Sequence, residues 1–132
     1  MTNILVVDDA VDAADALALL LSTLGHRVQV AFDGVEGVAE ARRCPPHIIF
    51  LDLDMPRLDG FGAVKAIRQA PDVGNPFIIA LTANAGSDVQ SESLSAGFDF
   101  YMRKPTDTKA LLALVADVEG RSRVRASAPI EP

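Results

Sequence analysis

The chain has 132 residues with a formal net charge of −6, a length that suits one domain and a charge that argues against non-specific binding to nucleic acid or to an anionic membrane surface. Apolar residues make up 49%, without tryptophan, so the core is expected to be aliphatic. A lone cysteine, Cys44, excludes an internal disulfide and fits a reducing cytoplasm, and the N-terminus carries neither a signal-peptide pattern nor any run long enough to span a membrane.

In chain order, "NILVVDD" (3–9) is an apolar run closed by acids, the pattern of a strand buried on both faces. "VDAADALALLLSTLG" has helical spacing and stops at Gly25. "HRVQVAF" (26–32) alternates like a strand near a sheet edge, and "GVEGVAEARR" (34–43) is a short helix ended by Pro45-Pro46. "HIIFLD" (47–52) is a central strand, "FGAVKAIRQ" (61–69) a helix, "APDVGNP" (70–76) a loop and "FIIALT" (77–82) a fourth buried strand. "SDVQSESLSAG" (87–97) is a weak helix, because its four serines compete for backbone hydrogen bonds; its expected anchors are Val89 and Leu94. "FDFYMRK" (98–104) is the fifth strand, and "TDTKALLALVADVEG" (106–120) a helix capped by Thr106 or Asp107. Residues 1–120 then form one domain, and the tail 121–132 reads as disordered.

Five alternations of strand and helix predict an α/β fold: a doubly wound, five-stranded parallel sheet with strand order 2-1-3-4-5. In that order strands 1 and 3 are neighbours at the switch point, which brings Asp8, Asp9 and Asp52 together. Bare, such carboxylates repel one another; an all-oxygen acidic set suits Mg²⁺ and not zinc. His26 and His47 are isolated and read as solvated strand-start residues. Thr82 and Lys104 end strands 4 and 5 on the same rim. Hydroxyl, ammonium and carboxylates there could receive a phosphoryl group, with one carboxylate attacking in line.

"LVVDD", "FLDLDMPRLDGF", "ALTAN" and "YMRKP" together resemble the signature segments of the receiver domain of two-component response regulators, over roughly residues 3–118. The resemblance implies a flavodoxin-like, CheY-like (βα)5 fold with Asp52 as phosphoacceptor. It implies that Asp9 ligates Mg²⁺ directly, that Asp8 works largely through water, and that Asp54 lends the metal its backbone carbonyl. Thr82 matches the switch hydroxyl, Lys104 the phosphate-pairing lysine and Tyr101 the aromatic switch. Lys104-Pro105 matches a bond usually cis in the family. Asp59, before Gly60, reads as a turn residue. Asn84 sits where water could be positioned. Phe100, more often polar or small in the family, reads first as packing beneath helix 4 or helix 5, and second as a partner contact.

The implied role is that of a stand-alone response regulator, phosphorylated by a histidine kinase or histidine phosphotransfer protein and signalling through the helix 4–strand 5–helix 5 face to an output protein the sequence does not name. It would be a monomer or a weak dimer through that face, it is not an enzyme beyond its own phosphorylation and dephosphorylation, and it binds neither nucleic acid nor membrane. The alternatives are a receiver module of a hybrid histidine kinase or a phosphorelay intermediate, a phosphatase of the haloacid dehalogenase type with Asp52 as nucleophile and Asp54 as acid/base, and a non-phosphorylated interaction module.

Overall fold

The computed structural model describes residues 2–53, 55, 58–83, 87–104 and 107–127, with backbone alone at 87–90 and 121–127. Strands β1 (Asn3–Val7), β2 (Arg27–Ala31), β3 (Ile48–Asp52), β4 (Phe77–Thr82) and β5 (Phe100–Arg103) alternate with helices α1 (Val11–Thr23), α2 (Gly34–Arg43), α3 (Gly60–Gln69), α4 (Ser87–Ala96) and α5 (Thr108–Ser127), and a 3-10 turn covers Pro71–Val73. The strands pair in parallel in the order β2-β1-β3-β4-β5, as the alternation predicts.

Period-two alternation along the central strands sends successive side chains to opposite faces. Leu5, Val7, Ile49, Leu51, Ile78 and Ala80 pack with α2, α3 and Phe98. Ile4, Val6, Ile48, Phe50, Ile79 and Leu81 pack with Ala14 and Leu21 of α1 and with Leu111, Val115 and Val118 of α5. Both faces being covered explains why β3 is buried at every residue and why its sequence is an unbroken apolar run.

Local chemistry fixes the helix ends. Gly25 takes φ +92°, outside the range other residues favour, and its N–H donates to Ser22 O, closing α1. Asp33 caps α2 by accepting from Glu36 N at 2.8 Å, and Glu36 Oε1 reaches back to accept from Phe32 N, the residue before the cap, at 3.3 Å. Asp59 caps α3 by accepting from Gly62 N at 2.9 Å, a structural role in keeping with its reading as a turn residue. Asp107 caps α5 by accepting from Lys109 N at 3.0 Å; Thr106, the other expected cap, lies outside the described residues.

Four expectations are corrected. Helix α5 continues to Ser127 rather than stopping at Gly120, because a single glycine costs a helix interior only about 1 kcal/mol; residues 128–132 lie outside the description. Leu94 is not an anchor of α4: it is 50% exposed, and Ser93 is buried in its place. Phe100 is not packed away but 45% exposed, standing at the start of an edge strand with β4 on one side only. His26 is not solvated: its side chain is 10% exposed and lies 3.8 Å from Glu119. The Val89 side chain and the geometry of the Lys104-Pro105 bond fall outside the described residues.

Candidate functional site

The site forms where four strands end on the same side of the sheet. β1 gives way to Asp8 and Asp9, β3 ends in Asp52, β4 ends in Thr82, and β5 is followed by Lys104. Backbone bonds hold these ends in register. Asp8 N donates to Ala31 O at 3.1 Å, Leu53 N to Leu81 O at 3.0 Å, and Lys104 N to Thr82 O at 2.7 Å. The last of these fixes the lysine beside the threonine.

Asp8, Asp52 and Thr82 are buried, at 3%, 4% and 1% exposure, whereas Asp9 is exposed. One carboxylate oxygen from each of Asp8, Asp9 and Asp52 lies within 4.8 Å of the other two. Lys104 Nζ donates to Asp8 Oδ2 at 2.8 Å and lies 3.4 Å from Asp52 Oδ2. Asp8 Oδ1 accepts from Ala10 N at 3.0 Å, so both Asp8 oxygens are engaged and the carboxylate is oriented at the head of α1. Burial by itself pulls the Lys104 ammonium down, but the hydrogen bond to Asp8 and the charges of Asp52 and Asp8 exceed it and leave the group above the ordinary lysine value. The lysine therefore stays charged between two acids.

Among the described residues three hard oxygen donors converge, two of them buried, and the Lys104 ammonium alone leaves their negative charge in excess. No nitrogen or sulfur ligand among the described residues enters the group. That chemistry fits Mg²⁺, which takes one or two carboxylates and completes its shell with water. Asp54 and Asn84, also assigned to the site from the sequence, lie outside the described residues.

Gly60 is required beneath the site. A Cβ there would collide with the Asp52 carbonyl oxygen and the Leu53 Cα, so α3 begins directly against the backbone of Asp52. Gly34 meets the Leu58 carbonyl in the same manner and seats the start of α2 on the segment after β3. Tyr101 is half-buried against the apolar cluster on the α2–α3 face, and its ring centroid is 6.4 Å from that of Phe100.

Two features escaped the sequence reading. A cleft of about 580 Å³ opens beside the acids, bounded by Ala10, Ala13, Leu17, Leu81, Ala83 and Lys104. A second, of about 290 Å³, shares Ala13 and Leu17 with it and reaches Leu20, Thr108 and Leu111. Together they make an apolar trough running from the site down between α1 and α5. Its available signal was the pairing of small Ala13 and Ala16 with Leu17 and Leu20 at helical spacing. The second feature is the set of partners of Arg68, described below.

The sequence profile of the response regulator receiver domain matches residues 4–116. The chain is 33% identical over 115 residues to the DNA-binding dual master transcriptional regulator RpaA of Synechocystis, a match covering 87% of this chain and 48% of RpaA; the chain thus spans less than half the length of that relative. Among solved structures, the chemotaxis protein CheY4 of Vibrio cholerae superposes with a TM-score of 0.84 at 29% identity, covering 89% of this chain and 98% of that one. The receiver domain of the sensor histidine kinase PA1611 of Pseudomonas aeruginosa, described with a magnesium ion coordinated in its active-site cleft, superposes with a TM-score of 0.82 at 33% identity over 90% and 98% of the two chains.

Proposed function

We propose, since the chain belongs to the response regulator receiver domain family, that it accepts a phosphoryl group on Asp52 from a phosphohistidine of a histidine kinase or histidine phosphotransfer protein. The observation that carries this reading is the placement of Asp52: buried at a strand end, beside two further carboxylates and 3.4 Å from the Lys104 ammonium. A buried carboxylate with that company is a nucleophile for which incoming negative charge can be neutralised on arrival.

Asp8, Asp9 and Asp52 would hold Mg²⁺, which, when bound, neutralises the oxygens of the phosphoryl group. The chain's own residues do the rest. An oxygen of Asp52 attacks phosphorus in line. The bond from phosphorus to the histidine nitrogen breaks, and its electron pair stays on the imidazole. Lys104, oriented by Asp8, turns its ammonium toward the oxygens of the transferred group. Thr82, at the end of the neighbouring strand, donates its hydroxyl to one of them, and that movement opens the way for Tyr101 to shift. Asp54 would supply its backbone carbonyl to the metal, and Asn84 would position water. The apolar trough between α1 and α5 receives the donor protein's helix, placing its histidine over the acids. The same chemistry would serve a receiver attached to a histidine kinase.

The test is phosphotransfer from a purified, radiolabelled histidine kinase or phosphotransfer protein. Label should move to the wild-type chain in Mg²⁺, not in excess chelator, and not to Asp52→Asn. Undiminished transfer to Asp52→Asn would refute the assignment.

A further inference from the structure

Arg68, in the last turn of α3, has a side chain only 23% exposed and uses every N–H donor it has. Nε and Nη2 both donate to Gly97 O, at 3.0 and 2.8 Å; Nη2 also donates to Asp99 Oδ2 at 2.8 Å; Nη1 donates to Asn75 Oδ1 at 3.1 Å and to Pro76 O at 2.9 Å. A guanidinium offers five donors in a rigid fork, and here the fork is saturated. One group therefore ties α3 to the end of α4, to the approach to β5 and to the approach to β4.

The same end of α4 is fastened a second time. Asp99 Oδ2 accepts from Ile78 N at 2.9 Å, and Asp99 N donates to Ile78 O at 2.8 Å. Phe98 N donates to Ser93 O at 3.1 Å, and the Phe98 ring stands edge-on to Phe61 with centroids 6.2 Å apart. Gly97, at φ +123°, brings its backbone against Arg68: an added Cβ would lie 3.3 Å from Arg68 Cγ. Before this end, Ser93 is the one buried residue among the described side chains of α4. Leu94, the one large apolar residue among the described side chains of α4, is 50% exposed.

We propose that Arg68 is a positioning residue for the conformational switch: it pins the C-terminal end of α4, so that a rearrangement begun at Thr82 swings α4 about Gly97 and leaves residues 97–99 in place. The inference rests on the reading of Asp52 as phosphoacceptor. Its physical basis is that charge-assisted bonds to a helix-end carbonyl are among the costlier ones to break, while a helix face with few buried contacts moves cheaply.

Hydrogen exchange with and without Mg²⁺ and beryllofluoride, a phosphoryl mimic, tests it, alongside labelling of the same preparation by acetyl phosphate. In the wild-type chain, amides of 91–95 should change by about tenfold or more and those of 97–99 by less than about twofold. Arg68→Lys keeps the charge and loses the fork. It should label within about twofold of wild type, while the beryllofluoride-induced change spreads into 97–99. A wild-type response as large at 97–99 as at 91–95 would overturn the proposal, and this arm decides by itself should the variant not fold. So would an Arg68→Lys chain whose exchange rises equally in both states while the induced change stays confined, since that is what a merely structural arginine gives. Failure of the wild-type chain to take label overturns the Asp52 reading and the pivot with it; normal labelling with a mislocalised response overturns the pivot alone.

Discussion

At the scale of single residues, the site is a balance of charge around Lys104. Among the described residues two buried acids and one exposed acid face one ammonium, and the lysine is held above its ordinary value despite burial because the acids outweigh that burial. A cation raised in the folded state adds stability that is fully present below its unfolded value and is lost as pH rises through the folded one. The contribution of Lys104 should therefore be constant at neutral pH and fade only above about 10.5. Melting curves of wild type and Lys104→Met from pH 8 to 11 check this: the gap between them should hold at the lower values and begin to narrow only at the upper end. Without the ammonium, Lys104→Ala should still take a phosphoryl group from acetyl phosphate, more slowly. It should fail to transmit the change to Tyr101, readable as an unchanged Tyr101 ring signal on phosphorylation. Lys104→Arg should restore this only partly, since a planar fork replaces a compact point charge.

At the scale of elements, what could be read from the sequence and what could not follow from range. Asp8, Asp9, Asp52, Thr82 and Lys104 were legible because each directly follows or ends a strand whose apolar run announces its burial. The caps Asp33 and Asp59 obey local rules of the same reach, and loss of one is expected to cost about 1 kcal/mol. Denaturant unfolding of Asp33→Ala should show that loss while labelling by acetyl phosphate persists, because the Asp33 carboxylate caps α2 and is not one of the three grouped at the site. Gly60→Ala should be worse on both counts. Its Cβ runs into the backbone of Asp52 and Leu53, so a loss of about 1–3 kcal/mol should accompany slower labelling, and that pairing separates it from the cap variant. Arg68 was illegible because Gly97 and Asp99 lie 29 and 31 residues away, and no local pattern joins them. Leu94 was misplaced for a different reason: a helix with so few apolar residues does not define which of its faces is inward, and here the inward residue is Ser93. Phe100 was misjudged because hydrophobicity reveals a strand but not that the strand stands at the edge of its sheet.

At the scale of the whole molecule, the doubly wound order does two things at once. It gathers acids, hydroxyl and amine at one rim, and it leaves α1 and α5 side by side on one face, with an apolar trough between them that leads to the acids. On the proposed reading, small-molecule donors would need only the rim, whereas a protein donor would need the trough as well. Ala16→Phe, which fills the trough away from the acids, should leave labelling by acetyl phosphate unchanged and slow transfer from the cognate phosphohistidine protein by about tenfold, the equivalent of ~1.4 kcal/mol of lost binding. Equal slowing with both donors would place the defect in the rim instead. The central claim, that Asp52 is the nucleophile of a Mg²⁺-dependent phosphoryl acceptor, is tested most directly by intact-mass measurement after incubation with acetyl phosphate. The account predicts one added phosphoryl group on the wild-type chain in Mg²⁺, stable in acid and lost in base, and none on Asp52→Asn or in the presence of chelator; an equal mass gain on Asp52→Asn would contradict it.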